Sequence, residues 1–378
     1  MKKIFTVFVL LAACLAFSCK AKGGDTYTLG SIFPLSGSLA FAGTEARDGA
    51  ILAMEEINAA GGLLGKKLAL ISEDDEGDAA KTVNAFTKLT TRDKVSIIIG
   101  SLTSGATQAI STLAQSNKIL LISPTATNAN VTKAGDFVFR ACFIDPFQGL
   151  VIAEFAHETL GSRKAAILYD AGADYNTGLA DAFKKRFKEL PGTQIVADEA
   201  YQTGDVDFNA QITRIKSTNP DVIYLPNYYY DVGLQIKQLR EHGINNFIVG
   251  CDGWDSVSDN AGDEVLNCFW STGFASDTTD PKGVAFVKAY QARFNKSAIA
   301  VSANGYDAMY MVADAIKSAG SFDPTAVKDA LAKTNGAYVT GNIRFDSDRN
   351  PIKSAVILEI VKKDGKYADV YKTTINPK

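Results

Sequence analysis

The sequence predicts an α/β protein whose parallel sheets are covered by helices on both faces. Short apolar runs alternate with stretches of helical period, roughly 10–18 residues long, the spacing of strands joined by crossover helices. This grammar comes as two series, one before and one after Arg140. A chain of 378 residues also exceeds what a single hydrophobic core usually serves. Two Rossmann-like lobes are the expected architecture.

The first series opens with a strand over Thr28–Phe33 and the loop Pro34-Leu35-Ser36-Gly37-Ser38. A helix over 43–60 buries Ala46, Ala50, Ala53, Met54 and Ile57, which recur at three- and four-residue spacing. Gly61 and Gly62 stop it, because glycine enters the left-handed conformation without a steric penalty. Leu68–Ser72 is the next strand, and Asp78 is placed to cap a helix reaching Thr91. The run Val95–Gly100 is apolar on both faces, as buried parallel strands are. A helix near 106–115 and a strand at Ile119–Ser123 complete the series.

After Arg140 the expected order is helix 147–160, strand 165–169, helix 177–189, strand 194–200, helix 207–217, strand 221–225, helix 231–242 and strand 246–250. Helices follow near 281–294, 303–318 and 324–332. Two late strands, near 355–361 and 367–371, turn back on each other around Asp364-Gly365.

At the N-terminus, Lys2 and Lys3 precede an apolar run from Ile4 to Phe17, with Ser18-Cys19 after it. That is the pattern of a secretory signal peptide, and the run is too short to span a bilayer as a stable helix. Residues 1–19 therefore read as a lipoprotein signal, with the Cys19 thiol as lipid acceptor. Cys14, after Leu11-Ala12-Ala13, is the rival acceptor, but cleavage there would leave a very short apolar core. The mature protein is expected in the periplasm or at the cell surface, tied to the membrane by its N-terminal lipid. A net charge of -3 with interspersed signs gives no reason to expect nucleic acid as partner.

Cys142, Cys251 and Cys268 remain in the mature chain. Cys251 at a strand end and Cys268 at the start of the next are the expected pair if a disulfide forms. His157 and His242 lie far apart and no C-x-x-C occurs, so no metal site is expected.

Ligands of open α/β sheets sit beyond the carboxyl ends of the strands. Four loops satisfy that rule. Ser101-Leu102-Thr103-Ser104-Gly105-Ala106-Thr107 is hydroxyl-rich and opens a helix whose N-terminus suits a carboxylate; capping by Ser104 would need no ligand. Ser123-Pro124-Thr125-Ala126-Thr127-Asn128 adds hydroxyls and carbonyls beside it. In the second series, Pro226-Asn227-Tyr228-Tyr229-Tyr230 supplies aromatics and Gly250-Cys251-Asp252-Gly253-Trp254 an acid for an ammonium group. Enzymatic signatures are missing: there is no G-x-G-x-x-G opening a helix and no G-x-S-x-G elbow. Glu73-Asp74-Asp75-Glu76 reads as a solvated turn with a helix cap. No catalytic residue and no cofactor is expected.

Six segments recur in order along the mature chain: Gly30–Gly37, Ala53–Gly65 (AMEEINAAGGLLG), Gly100–Thr107, Ser123–Thr127, Arg140–Gly149 and Asn304–Ala308 (NGYDA). In these the chain resembles the leucine/isoleucine/valine-binding family, type I periplasmic solute-binding proteins that deliver amino acids to ABC transporters. The resemblance implies two lobes joined by three crossovers, near Cys142–Pro146, Gly273–Ser276 and Phe345–Asp348. The first lobe would hold 25–143 and 275–345, the second 144–274 and 346–378.

Matched residue by residue, the resemblance implies that Ser104 and Thr127 hold the ligand's carboxylate. The Thr125 carbonyl, the Thr127 hydroxyl and Asp252 would hold the ammonium, and Tyr175 and Tyr228 would close from the second lobe. Ala42, with Phe41 before it, stands where branched-chain binders often place an aromatic, and Asp252 where a longer glutamate is common. The smaller wall implies a larger or differently shaped solute side chain. The implied function is capture of an amino acid, branched-chain or related, by a monomer that delivers it to a permease. A sensor subunit presenting a bound amino acid or amide to a receptor would share the fold and cleft. An extracytoplasmic enzyme is the remoter alternative.

Overall fold

The computed structural model describes residues 26–260 and 262–377. The signal segment with Cys14 and Cys19 lies outside them.

The chain begins with β1 (Thr26–Phe33), α1 (Ala40–Ala59), β2 (Lys67–Asp74), α2 (Ala79–Thr87), β3 (Ile97–Gly100), α3 (Ser104–Asn117), β4 (Leu120–Ser123) and β5 (Val138–Arg140). These strands form one parallel sheet in the order β2-β1-β3-β4-β5. Next come α4 (Asp145–Glu154), β6 (Lys164–Asp170), α5 (Asp174–Glu189), β7 (Gln194–Tyr201), α6 (Asn209–Ser217), β8 (Val222–Leu225), α7 (Tyr229–Glu241), β9 (Phe247–Gly250) and β10 (Cys268–Thr272). The helices α8 (Pro281–Phe294), α9 (Ala300–Ala319) and α10 (Pro324–Leu331) follow. The chain ends in β11 (Asn335–Tyr338), β12 (Gly341–Phe345), β13 (Pro351–Ile352), β14 (Ala355–Lys363) and β15 (Lys366–Ile375).

The second sheet has the order β15-β14-β10-β9-β8-β6-β7. Its strands are parallel except that β14 runs antiparallel to both β10 and β15. The chain changes layers three times. It leaves the first sheet after β5, returns when α9 and α10 pack with α1 against that sheet, and goes back to the second sheet through β14.

Burial explains the strand sequences. In β3, Ile97 and Ile99 face the core shared with α1 and α9, while Ile98 faces the core around Phe86, Leu89 and Ile110. A strand covered on both faces has no position for a polar residue. The α1–α9 contact is backbone to backbone: a Cβ at Gly49 would lie 1.9 Å from the Ser302 carbonyl oxygen, and one at Gly305 2.0 Å from that of Ala46. Gly43, read from the sequence near a helix start, lies inside α1, where a Cβ would meet the Pro34 carbonyl oxygen at 1.9 Å.

Two expectations need correction. Cys142, Cys251 and Cys268 are all free thiols. Cys268 is paired in register with Ile248, and Cys251 lies three residues beyond that level, about 10 Å at ~3.3 Å per residue. A disulfide tolerates at most about 7 Å between Cα atoms. The other correction concerns Glu73–Glu76, which is not all solvated. Asp75 is fully buried and accepts from Gly77 N, Thr82 Oγ1 and Ser101 Oγ. Asp78 does cap α2, accepting from Lys81 N at 2.8 Å.

The strand β5 and the small antiparallel sheet β11-β12-β13 lack a sequence signal: β5 has three residues, and the others are short, half-exposed and rich in glycine and asparagine.

Candidate ligand-binding cleft

The order of the first sheet reverses between β1 and β3, and that of the second between β6 and β8. Loops leaving such switch points diverge and open a crevice. The crevices of the two lobes face each other.

On the first-lobe side, backbone geometry is fixed from beneath. The Ser101 hydroxyl donates to Asp75 Oδ2 at 2.5 Å, and the Ser101 carbonyl accepts from Ser123 Oγ at 2.7 Å. Arg140 is wholly buried and donates to the carbonyls of Ala126 (2.8 Å) and Asn128 (2.9 Å), holding the second loop. Thr103, rather than Ser104, caps α3, accepting from Ala106 N at 3.3 Å. Ser104 begins the helix, and its Oγ accepts from Asn128 N at 3.1 Å, which ties the two loops together. The Thr125 hydroxyl donates to the Leu102 carbonyl at 2.7 Å. Thr127 Oγ1 is buried beside the Asp145 carboxyl, whose charged form it favours.

The second-lobe side is built on aromatics and acids. Tyr175 and Tyr228 stack with ring centroids 4.7 Å apart, and the Tyr175 hydroxyl donates to Asp252 Oδ1 at 2.6 Å. Burial pushes Asp252 up to about 6, against the pull of the Tyr175 hydroxyl and Gln148 toward the charged form. Asp145, at the start of α4, is pushed up to about 8, mainly by burial. Trp254 faces inward: its Nε1 donates to the Leu225 carbonyl at 3.0 Å, so the indole is a core residue.

The lobes meet across this cleft. The Tyr229 hydroxyl donates to the Ser38 carbonyl at 2.7 Å, and Asn128 Nδ2 donates to the Asp174 carbonyl at 2.8 Å. Gln108 Nε2 donates to Asp174 Oδ2 at 3.2 Å. Between the lobes, at the ends of the strands, lies a cavity lined from both sides.

Of the residues expected at the site, Ala42, Thr125, Tyr175, Tyr228 and Asp252 line that cavity. Ser104 and Thr127 are not among its lining residues; they lie buried, within the two loops. Phe41 is not among the lining residues either; it lines the neighbouring pockets. It is 39% exposed and meets the Tyr229 ring edge-on outside the cavity, because α1 turns the neighbouring Ala42 inward. Sequence reasoning missed Asp255, Thr272 and Asn304, which also line the cavity. Thr272 ends β10, so the strand-end rule would have found it had that strand been drawn in full. Asn304 belongs to the NGYDA segment, whose other members are structural. Gly305 admits α1, the Tyr306 hydroxyl donates to Glu56, and Asp307 accepts from Val339 N, Thr340 N and Thr340 Oγ1. No group of histidine, cysteine and acidic side chains suited to a metal occurs among the described residues.

Residues 26–366 match the model of a family described as periplasmic binding protein. The chain belongs to that family. It is 36% identical over 334 residues to the Leu/Ile/Val-binding protein BraC3 of Rhizobium johnstonii, spanning 86% of this chain and 88% of the relative. Among solved structures, the leucine-binding protein LivK of Thermotoga maritima superposes with a TM-score of 0.86 at 32% identity, covering 93% of this chain and 99% of LivK. The branched-chain substrate-binding protein LivJ of Streptococcus pneumoniae, solved with isoleucine, gives 0.84 at 36% identity, covering 92% and 100%. This periplasmic binding protein therefore has the two-lobed type I architecture and is of the kind that serves branched-chain amino acid ABC transporters. No helix among the described residues is long and apolar enough to cross a membrane.

Proposed function

We propose that this protein captures an amino acid as its zwitterion between the two lobes and presents it to a transporter permease. The observation that carries the reading is Asp252. Its carboxylate lines the cavity, is held by the Tyr175 hydroxyl, and no lysine, arginine or histidine is among the lining residues. An ammonium group is the natural counter-charge there. The solute carboxylate would take the Ser104 and Thr127 hydroxyls at the N-terminus of α3, with the Thr125 carbonyl completing the ammonium's partners. Charge-assisted hydrogen bonds in a cleft that excludes water are strong enough to hold so small a solute. Closure follows from binding because only the closed form touches the solute from both lobes. The branched-chain solutes named for BraC3 and LivJ make leucine-sized amino acids the first candidates.

The same reading places 25–143 and 275–345 in the first lobe, 144–274 and 346–378 in the second, and the crossovers where the chain changes layers. It also takes the protein as a monomer without enzymatic activity, anchored through Cys19. Native mass spectrometry of the purified protein, followed by calorimetry with the amino acids, is the test. Retained amino acid and a 1:1 titration are expected; no binding by any common amino acid or small amide would sink the reading.

A further inference from the structure

The cavity holds more acceptors than a simple aliphatic amino acid can satisfy. Three buried polar atoms without a hydrogen-bond partner belong to residues that line it: Asp255 Oδ2, Thr272 Oγ1 and Asn304 Oδ1. Their residues are 5%, 0% and 6% exposed. Unpaired polar atoms at such depth are uncommon and costly, of order 1–3 kcal/mol each. Asp255 and Thr272 come from the second lobe and Asn304 from the second turn of α9, so the group they would receive sits at the seam.

Charge points the same way. Asp252 and Asp255 both line the cavity, and no basic side chain joins them there. The charged side chains that bear on Asp255 are acidic as well: Asp369, Asp252 and Glu45, with the Val301 backbone N–H as the group favouring its charged form. Two lysines lie near the cluster and both are engaged: Lys296 is paired with Glu45 and Asp48, and the buried Lys353 donates to the Ala141 carbonyl and the Thr340 hydroxyl. One α-ammonium answers Asp252 and leaves the second acidic position open. The apolar lining combines the small residues Ala42, Ala300 and Val301 with Leu39 and Leu102.

We propose that the solute carries a second N–H donor in its side chain, a carboxamide or a short-chain ammonium, received by Asp255, Thr272 and Asn304. This rests on the reading of Asp252 as partner of the α-ammonium. A site built to pair a polar group rejects the analogue that lacks it, because its own buried acceptors are then left empty.

The test is calorimetric titration of refolded, solute-free mature protein with L-leucine, L-glutamine, L-asparagine and L-2,4-diaminobutyrate. At least one N–H-bearing solute is expected to bind roughly 100-fold or more tightly than leucine; the amides and the diamine separate the two donor types. Asp255→Ala and Thr272→Val are each expected to cut that ratio by about tenfold or more, the worth of one lost hydrogen bond to a buried group. Asp255→Ala also removes the acceptor of the Val301 N–H at the start of α9, so Thr272→Val, which abandons no partner, is the variant whose solute-free melting temperature should hold. Leucine binding as well as all three rivals would overturn the proposal. So would equal weakening of leucine and its rivals by the variants, which would make the cluster an aid to closure, or a lowered melting temperature of Thr272→Val. If no amino acid binds at all, the zwitterion reading falls and takes this one with it.

Discussion

The two walls of the cleft are made of different material. The first-lobe wall is backbone and hydroxyl, cross-tied from below by Asp75, Ser101, Ser123 and Arg140. The second-lobe wall is an aromatic stack carrying an acid whose charge is suppressed by burial. A wall whose supporting hydroxyls and carbonyls are tied to one another beneath the surface fixes shape. A wall with an under-satisfied acid supplies affinity and responds to pH. The contrast teaches that damage to the cross-ties beneath the first should register as lost stability, and damage to the acid of the second as lost binding.

Asp252→Ala is the severest break on the binding side. Leaving the ammonium without its carboxylate should cost roughly 2–5 kcal/mol of affinity, read by calorimetry, with the melting temperature little changed. An unaltered dissociation constant would remove Asp252 from the site. On the other wall, Asp75→Ala leaves Ser101 Oγ, Thr82 Oγ1 and Gly77 N without their shared acceptor. It should lower unfolding free energy by about 1–3 kcal/mol in a denaturant titration; a stable variant with ruined affinity would reverse the assignment of the two walls.

The pH effect is smaller and its sign is definite. With Asp252 raised to about 6 in the empty cleft, an ammonium must find it ionised. Below that pH each unit costs up to about 1.4 kcal/mol, so affinity should fall as pH drops from 7 to 5. The facing acids Asp145 and Asp255 are raised as well, so Asp252→Asn must flatten the profile if the effect is its own. Phe41→Ala is the mildest change. Losing one edge-on ring contact with Tyr229 outside the cavity should cost less than about 1.5 kcal/mol. It should act on every solute alike, and a solute-dependent loss would put Phe41 back in the pocket.

Most of the architecture was legible because buried parallel strands and amphipathic helices leave strong periodic marks, and each of the four loops picked by the strand-end rule lends a residue to the cavity lining. What escaped had physical reasons. Strand β5 is too short to show a period, and β11–β13 bury too little to need one. The proposed Cys251–Cys268 bridge failed on register, which local sequence does not encode. Of two adjacent candidates, Ala42 reached the cavity and Phe41 did not, since one residue turns a helix by about 100°. Asp255 read as one more polar loop residue; its distinction is a buried Oδ2 without a partner, a property only three dimensions reveal.

Two of the hydrogen bonds that strap the lobes together end on carbonyl oxygens, those of Ser38 and Asp174. A carbonyl is supplied by every amino acid. The receiving half of each strap is thus indifferent to mutation, while the donors Tyr229 and Asn128 are not. Divergent descendants of this chain are free to drift at 38 without loosening the clasp. Position 174 is less free, since its carboxylate also answers Gln108.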